Sequence, residues 1–488
     1  MYYTKKAIEV FKSHIEVSPY EEGESETIER YMSIYENFSY DPVGYYVLND
    51  VLYLPRGCNI AFLEKTFRTT AIYRRGSDEY DTFKWIDVTV PPRSKIQTDS
   101  IDFLCCKNEF SKYTGSSQQS LTLDTGDGKT YSAVYAILDY GMDAVIITYL
   151  DKIRSQWKDT FLTKTNMQED DIVLINGSND MDKVIAGKSV GHVYLVLHQT
   201  IGSYAKNNGW LSVREFFKKT KAGIKVIDEA HRYYENTIRI DMFSNTEKTF
   251  YLTANFERGE RAENALFKKV FSSVVKFGEE TKSYEEKRKH IIYVPVLYKS
   301  NPTAQQIMET SNFYGFSAVL FSEYALFGDC YGTLISKLKI VFNKALELEG
   351  KILITAPRID DTTYLKEKIK DWLIGTEFEN RTVETIHSKH TREENDDTAA
   401  NADIIISTIK SCGTGVDIPK LRVIINLEPF SSNIISNQLS GRLREYAKDK
   451  YTYFFDLIDT SFPNCERQYM SKLRFLKKKC KEINIWNL

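Results

Sequence analysis

Paired cysteines, an excess of basic charge and long apolar runs are all missing from this chain of 488 residues. Its seven cysteines are odd in number and show no paired spacing, which argues against a disulfide framework and against a zinc site. His387-x-x-His390 is one helical turn apart, but no Cys or acidic residue stands beside it at metal-ligand spacing. Cys105-Cys106 reads as part of a helix face rather than a redox pair. The formal net charge is −2, so the molecule as a whole has no general attraction for polyanions. Any nucleic-acid contact must come from local basic surface. No stretch of about 18 apolar residues occurs, so no membrane partner is expected. The opening Met-Tyr-Tyr-Thr-Lys-Lys lacks the apolar core of a signal peptide, and a cytoplasmic location follows by default, the host cytoplasm for a viral source. No short-period repeat or low-complexity segment is visible. What is present, 42% hydrophobic and 27% charged residues, describes a soluble globular protein, and the length allows two to four domains with full cores. The 32 tyrosines are scattered and read as core.

Two segments carry chemistry. In Leu121-Thr-Leu-Asp-Thr-Gly-Asp-Gly-Lys-Thr130, Leu121 and Leu123 alternate as in a strand, the chain turns through Thr125, Gly126, Asp127 and Gly128, and a helical run begins near Lys129. Glycines let backbone N–H groups close around phosphates where side chains would clash. Lys129 supplies a cation for the β and γ phosphates, Thr130 a hydroxyl for Mg²⁺, and the helix N-terminus a partial positive charge. In the second segment, Lys225-Val226-Ile227 reads as a short buried strand ending in Asp228-Glu229-Ala230-His231. Acids at a strand's C-terminal end face the crevice where open α/β sheets bind ligands. Asp228 is placed to hold Mg²⁺ through water, and Glu229 to orient and deprotonate the attacking water. A glycine turn with a solvated lysine and an exposed acidic turn are the plain alternatives for either segment alone. The ordered pair favours a site that hydrolyses a nucleotide with Mg²⁺.

Residues 1–90 read as a small α+β accessory domain: an acidic patch (Ser18 to Glu26) before a helix, a hairpin over Gly44–Leu48 and Val51–Leu54, and a strand-like run Phe83–Val90 stopped by Pro91-Pro92. Strands then alternate with helical segments at Ser120–Leu123, Ala144–Leu150, Val193–Leu197, Ile224–Ile227 and Thr249–Thr253, and again at Lys351–Ala356, Thr382–His387, Asp403–Thr408, Leu421–Leu427 and Tyr451–Leu457. This pattern predicts an α/β fold of two tandem doubly wound parallel-sheet domains, 91–290 and 291–488, with the boundary at the charged run Glu285–His290. Residues 298–350 read as mostly helical.

With these motifs in order, the chain resembles the superfamily 2 helicases, with a DEAH-type acidic box, and within them the phage recombination helicases of the UvsW type. The resemblance runs from about Pro92 to Tyr446 and implies RecA-like domains. It assigns adenine reading to Arg93-Ser-Lys-Ile-Gln97, through Arg93 and Gln97. Contacts to the DNA backbone fall on Thr148, on Gln156-Trp157 and on His198-Gln199-Thr200, with a core position as the equal alternative for Trp157. Thr253-Ala254-Asn255 matches the motif that hydrogen-bonds the acidic box, apart from its last residue. Ser407-Thr408 through Pro419 resembles motif V, with Thr408 toward DNA and Gly415 and Asp417 toward the nucleotide. Gln438-Leu-Ser-Gly441-Arg442-Leu-Arg444 resembles motif VI, whose arginines stabilise charge developing on the γ-phosphate. Its second arginine is displaced by one position, because position 445 is Glu. In a helix, residues two apart point roughly 200° apart, so Arg442 and Arg444 share one phosphate only where the helix is irregular.

The resemblance implies an ATP-dependent DNA helicase or translocase that unwinds or branch-migrates single-stranded, forked or branched DNA in phage-type replication, recombination or repair, with replication or recombination proteins as further partners. ATP binding and hydrolysis would close and reopen the two domains. The basic segment from Lys472 through Lys479 is a candidate part of the strand track, with a solvated helix face as its alternative. Two other readings stay open: a DNA-stimulated motor subunit of a larger complex without strand separation, and an RNA helicase.

Overall fold

Short aliphatic and β-branched runs, buried on both sides, set the architecture, because a strand that faces helices on both surfaces can be apolar at every position. The computed structural model describes the chain apart from residues 1–5, 37–38, 75–78, 84–85, 108–109, 111–115, 124–125, 254–260, 279–288, 313–314, 329–330, 414–417, 445 and 447–449. It divides into two units, Met1–Glu285 and Glu286–Leu488.

The first unit holds a seven-stranded sheet in the order Ile172–Ile175, Val193–Leu197, Ala144–Thr148, Ile224–Asp228, Lys248–Thr253, Gln118–Thr122, Val275–Gly278. Every pairing in it is parallel. One face, with Leu121, Ile146, Leu195 and Val226, packs on the helices Lys95–Leu104, Lys129–Tyr140 and Asp151–Lys164. The other face, with Val145, Val196, Ile227 and Tyr251, shares one hydrophobic core with the N-terminal residues Ile8, Ile15, Leu52 and Leu54.

Those residues belong to a five-stranded sheet, Tyr46–Leu48, Val51–Pro55, His14–Ser18, Ala7–Val10, Ala71–Tyr73. It is antiparallel except for its last pair. Polar contacts reinforce the shared core: Arg214 donates to Glu16 at 2.9 Å, Lys269 to the Tyr31 carbonyl at 2.9 Å and Ser272 to the Gly57 carbonyl at 2.7 Å. Gly57 is required there, since a Cβ would lie 2.2 Å from the Val270 carbonyl oxygen.

The run Phe83–Val90 departs from expectation. Among the described residues it forms no strand, only an isolated bridge from Val88 to Thr165, with another from Thr82, just before it, to Met142. Cys105 and Cys106 lie beyond the end of Lys95–Leu104, not on a helix face.

The second unit has a parallel sheet in the order Val383–Ile386, Ile404–Thr408, Lys351–Ala356, Leu421–Asn426, Thr452–Asp459, Ile291–Tyr298, Glu482–Ile483, with Trp486–Asn487 also on Ile291–Tyr298. Helices Ala304–Glu309, Ala318–Phe327 and Tyr331–Leu346 fill most of the stretch expected to be helical. Helix Pro463–Lys479 carries the C-terminal lysines. Lys472 is unavailable as a strand contact, because it is 2% exposed and paired with Asp456 at 2.7 Å. Among the described residues no helix is long and apolar enough to cross a membrane.

Candidate active site

The phosphate loop leaves the strand Gln118–Thr122 and enters the helix Lys129–Tyr140. Gly126 and Gly128 have φ of +92° and +90°, a region in which only glycine sits without strain. At Gly128 a side chain is excluded a second way, since a Cβ would lie 2.0 Å from Gln97 Nε2. Gln97 is buried at 4% exposure, and its Oε1 accepts the Arg93 backbone N–H at 2.8 Å. The Arg93 guanidinium donates to the Gly126 carbonyl. Ser94 caps Lys95–Leu104 by accepting the Gln97 N–H at 3.4 Å. The structure therefore brings Arg93, Gln97, Gly126, Asp127 and Gly128 to one place, while Asp124 and Thr125 lie outside the described residues. Lys129 is buried, with Nζ donating to the Leu123 carbonyl at 2.8 Å. Thr130 follows, half-buried, in the first helical turn.

The acidic box lies at the C-terminal end of the strand Ile224–Asp228, on the same edge of the sheet as the phosphate loop. Asp228 Oδ2 accepts the Trp157 indole N–H at 2.8 Å, and Oδ1 accepts the Glu229 backbone N–H at 2.9 Å. Burial and then the neighbouring Glu229 carboxylate push the Asp228 pKa up to about 6, while Trp157 and the Lys129 charge pull against them. Glu229 has φ of +50°, a left-handed conformation that costs a non-glycine residue of order 1–3 kcal/mol and is stored preferentially at functional sites. Its Oε2 is buried without a hydrogen bond among the described residues, 3.3 Å from His231 Nδ1. His231 Nδ1 lies 2.9 Å from Thr253 Oγ1, which joins the last residue of the box to the first of the Thr-Ala-Asn segment. Ala254 and Asn255 lie outside the described residues.

The donor set fits a nucleotide with its metal. The glycine cradle leaves backbone room for phosphate, Lys129 carries the cation, and each Asp228 oxygen keeps lone-pair capacity after its one hydrogen bond.

Of the residues expected along a DNA strand, Thr148, Trp157 and His198 have side chains that are 0% exposed. The Trp157 indole donates to Asp228, a contact with no sequence signal beyond an indole on the helix Asp151–Lys164. Gln156 is exposed and Thr200 half-buried. Thr408 is buried at the start of Ile409–Gly413, its Oγ1 accepting the Ser411 N–H at 3.1 Å.

His198 gives a pH test. Burial lowers its pKa from 6.5 to about 3, so as pH falls below 6.5 the unfolded chain takes up a proton that the folded chain refuses. Stability is then lost progressively between 6.5 and 3, by about 2 kcal/mol at pH 5. In urea unfolding at pH 7.5 and pH 5, the parent is expected to lose that much more than His198→Phe. Equal losses would show that His198 titrates normally in the folded protein.

In the second unit, Gln438 is half-buried in the helix Asn433–Ser440, which ends at Gly441. Arg442 and Arg444 lie beyond it, so the helical premise for their directions does not hold. Arg442 is half-buried, Arg444 is exposed, and the Arg444 N–H donates to the Arg442 carbonyl at 3.0 Å. Gly415 and Asp417 lie outside the described residues.

Two family matches decide the classification. Residues 94–258 match the family described as "Type III restriction enzyme, res subunit", and residues 335–445 match "Helicase conserved C-terminal domain". The chain belongs to superfamily 2 of the helicases. That family consists of nucleic-acid-dependent, ATP-using motors. Among solved structures, a fragment assigned as the HsdR subunit of a type I restriction enzyme from Vibrio vulnificus YJ016 is similar at TM-score 0.53 and 14% identity, over 82% of this chain and 70% of that one. T4 UvsW aligns over 99% of both chains at 15% identity and TM-score 0.34. An S. cerevisiae Dbp5 variant, bound to a Gle1 variant and IP6, aligns at 14% identity and TM-score 0.48, over 81% of this chain and 89% of that one. No curated protein sequence matches. The two tandem parallel-sheet α/β domains of this superfamily 2 protein agree with the predicted fold class.

Proposed function

We propose that this protein is an ATP-dependent DNA translocase that unwinds or branch-migrates forked and branched DNA, acting with replication or recombination proteins of a phage-type system. The observation that carries the ATPase part is the convergence of Lys129, Asp228 and Glu229 on one sheet edge, with Gln97 packed against the loop glycine. Gln97 and Arg93 read the base, Lys129 binds the β and γ phosphates, and Thr130 and Asp228 are the residues that would hold Mg²⁺. Bound there, the metal would supply charge neutralisation at the phosphates. Glu229 accepts the proton of the attacking water. Gly415, Asp417, Gln438 and the motif VI arginines act on the nucleotide from the second domain. Residues 1–90 serve as a DNA-gripping accessory domain, with 91–290 and 291–488 as the two motor domains.

DNA is favoured by the restriction-enzyme family matched over residues 94–258. The same match favours the second reading, a DNA-stimulated motor subunit of a larger complex that separates no strands. ATP turnover measured with single-stranded DNA, forked DNA, four-way junctions and RNA, beside an unwinding assay, tests both. Strongest stimulation by branched DNA with strand separation is expected; stimulation without separation selects the subunit reading, and a preference for RNA rejects DNA.

Of the two arginines, Arg442 is the one assigned to the γ-phosphate, being the more enclosed and matching the family's first arginine. Arg442→Ala is expected to lose hydrolysis far more than Arg444→Ala, with ATP binding modestly weaker in both. Equal and severe losses contradict a single finger, and the reverse order transfers the role to Arg444.

A further inference from the structure

The N-terminal sheet and the first motor domain meet at a cavity of about 480 Å³ whose lining includes Arg56, Lys268, Lys269 and Ser272 and, among the described residues, no Asp or Glu. In a chain of net charge −2, three cations on one concave surface are a local excess that the overall composition does not supply. Arg56 is half-buried. Among the described residues, the groups that act on Arg56 and Lys269 are the Tyr73 phenol and the Cys58 thiol, and no carboxylate offsets the desolvation of either cation. The helix Ile60–Phe67 also begins at this cavity. The N–H groups of its first turn have no intrahelical partner, apart from Phe62 N–H, which Asn59 accepts at 3.1 Å.

The cavity is remote from the nucleotide site. Ser273 on its wall donates to Gln118 Oε1 at 2.6 Å, and Gln118 opens the strand Gln118–Thr122 whose other end leads into the phosphate loop. The strand is five residues long, roughly 15 Å.

We propose that this cavity is a second phosphate-binding site, taking a phosphate group of a nucleic-acid backbone or of a free phosphate compound. Arg56 and Lys268 supply the charge, the start of Ile60–Phe67 supplies N–H donors, and Lys269 is held in place by its bond to the Tyr31 carbonyl. The backbone source rests on the DNA-motor reading above; the phosphate chemistry does not.

The test uses the full chain, the double variant Arg56→Gln/Lys268→Gln and the charge-keeping Arg56→Lys/Lys268→Arg. Binding of a labelled oligonucleotide is followed across salt concentrations. Thermal protection by pyrophosphate is followed with Lys129→Ala added to every form, so that the nucleotide site contributes little. With a nucleic-acid source, the glutamine pair is expected to weaken oligonucleotide binding about tenfold and to flatten the salt slope by about one unit per lost phosphate contact, while ATP turnover without nucleic acid stays at the parental rate. With a free-phosphate source, pyrophosphate protection disappears in the glutamine pair and oligonucleotide binding is unchanged. The charge-keeping pair retains whichever response the parent shows. Parental oligonucleotide binding and pyrophosphate protection in the glutamine pair overturn the proposal, leaving the cations to balance the carbonyl end of Arg261–Val270. Pyrophosphate protection that depends on Arg56 and Lys268, in a protein whose ATP turnover no nucleic acid stimulates, would keep this site and reject the motor reading.

Discussion

Lys129→Ala is expected to cut ATP turnover by on the order of a hundredfold or more, the scale of losing one preorganised charge at a developing anion. The structure adds a second consequence. Lys129 is buried and its Nζ donates to the Leu123 carbonyl, so the variant also gives up that bond, a cost of about 1 kcal/mol. That is small beside the stability of a domain of this size. Circular dichroism and urea unfolding should therefore report a folded protein while steady-state hydrolysis collapses. Turnover within a few-fold of the parent would mean that the Gly-Asp-Gly-Lys turn holds no triphosphate.

Much of this site is legible in sequence, because phosphate chemistry constrains local backbone. Gly126 and Gly128 announce positive φ, and an apolar strand before Asp228-Glu229 announces a sheet edge. The packing of Gln97 on Gly128 also agrees with the Arg-x-x-x-Gln pattern. The burial of Thr148, Trp157 and His198 is another matter. A motif gives position along the chain, and burial is decided by elements distant in sequence, here the strand Ile224–Asp228 that receives the Trp157 indole. Likewise the break after Ser440 that frees Arg442 and Arg444 from a helix is set by the turn at Gly441, whose φ is the ordinary −67° and leaves no glycine signature.

The parallel strands at the middle of each sheet are visible because both faces are buried and their apolar runs are continuous. Edge strands such as Ile172–Ile175 and Val275–Gly278, four residues each, give too short a pattern. Ile291–Tyr298 was hidden for a different reason. It follows the charged run and contains Pro295, which removes a backbone donor and normally argues against an interior strand. The structure accommodates it at the gap between two short partners, Glu482–Ile483 pairing with Ile292 and Tyr293, and Trp486–Asn487 with Val296 and Leu297. The sequence pattern of the N-terminal strands Ala7–Val10 and His14–Ser18 carries little evidence of a core, because much of what they bury against belongs to the motor domain.

Breaking the ion pair beneath the acidic box is expected to have the largest effect on stability. Lys225 lies on the strand that ends in Asp228, is 0% exposed, and donates to Asp241 Oδ1 and Ser244 Oγ, each at 2.5 Å. Asp241 Oδ2 accepts the Tyr251 hydroxyl at 2.7 Å, and that hydroxyl accepts Gln118 Nε2 at 3.0 Å. Burial lowers the Lys225 pKa and Asp241 opposes the shift. Asp241→Ala removes the counter-charge and leaves an ammonium group in the core, a change that costs about 3–5 kcal/mol. Replacing both partners, as Lys225→Met/Asp241→Leu, removes the desolvated charges together and should recover most of that loss, because a buried pair is often no more stabilising than well-packed apolar residues of similar volume. Urea unfolding of the parent, the single variant and the double variant measures the difference. A cost below about 1 kcal/mol for Asp241→Ala, or a double variant no better than the single, would mean that Lys225 is neutral or reaches water in the folded chain. The same proteins report on function: Lys225 and Asp228 alternate onto opposite faces of their strand, so the double variant should hydrolyse ATP at the parental rate if the pair only holds the strand in place, and more slowly if it also sets the position of Asp228.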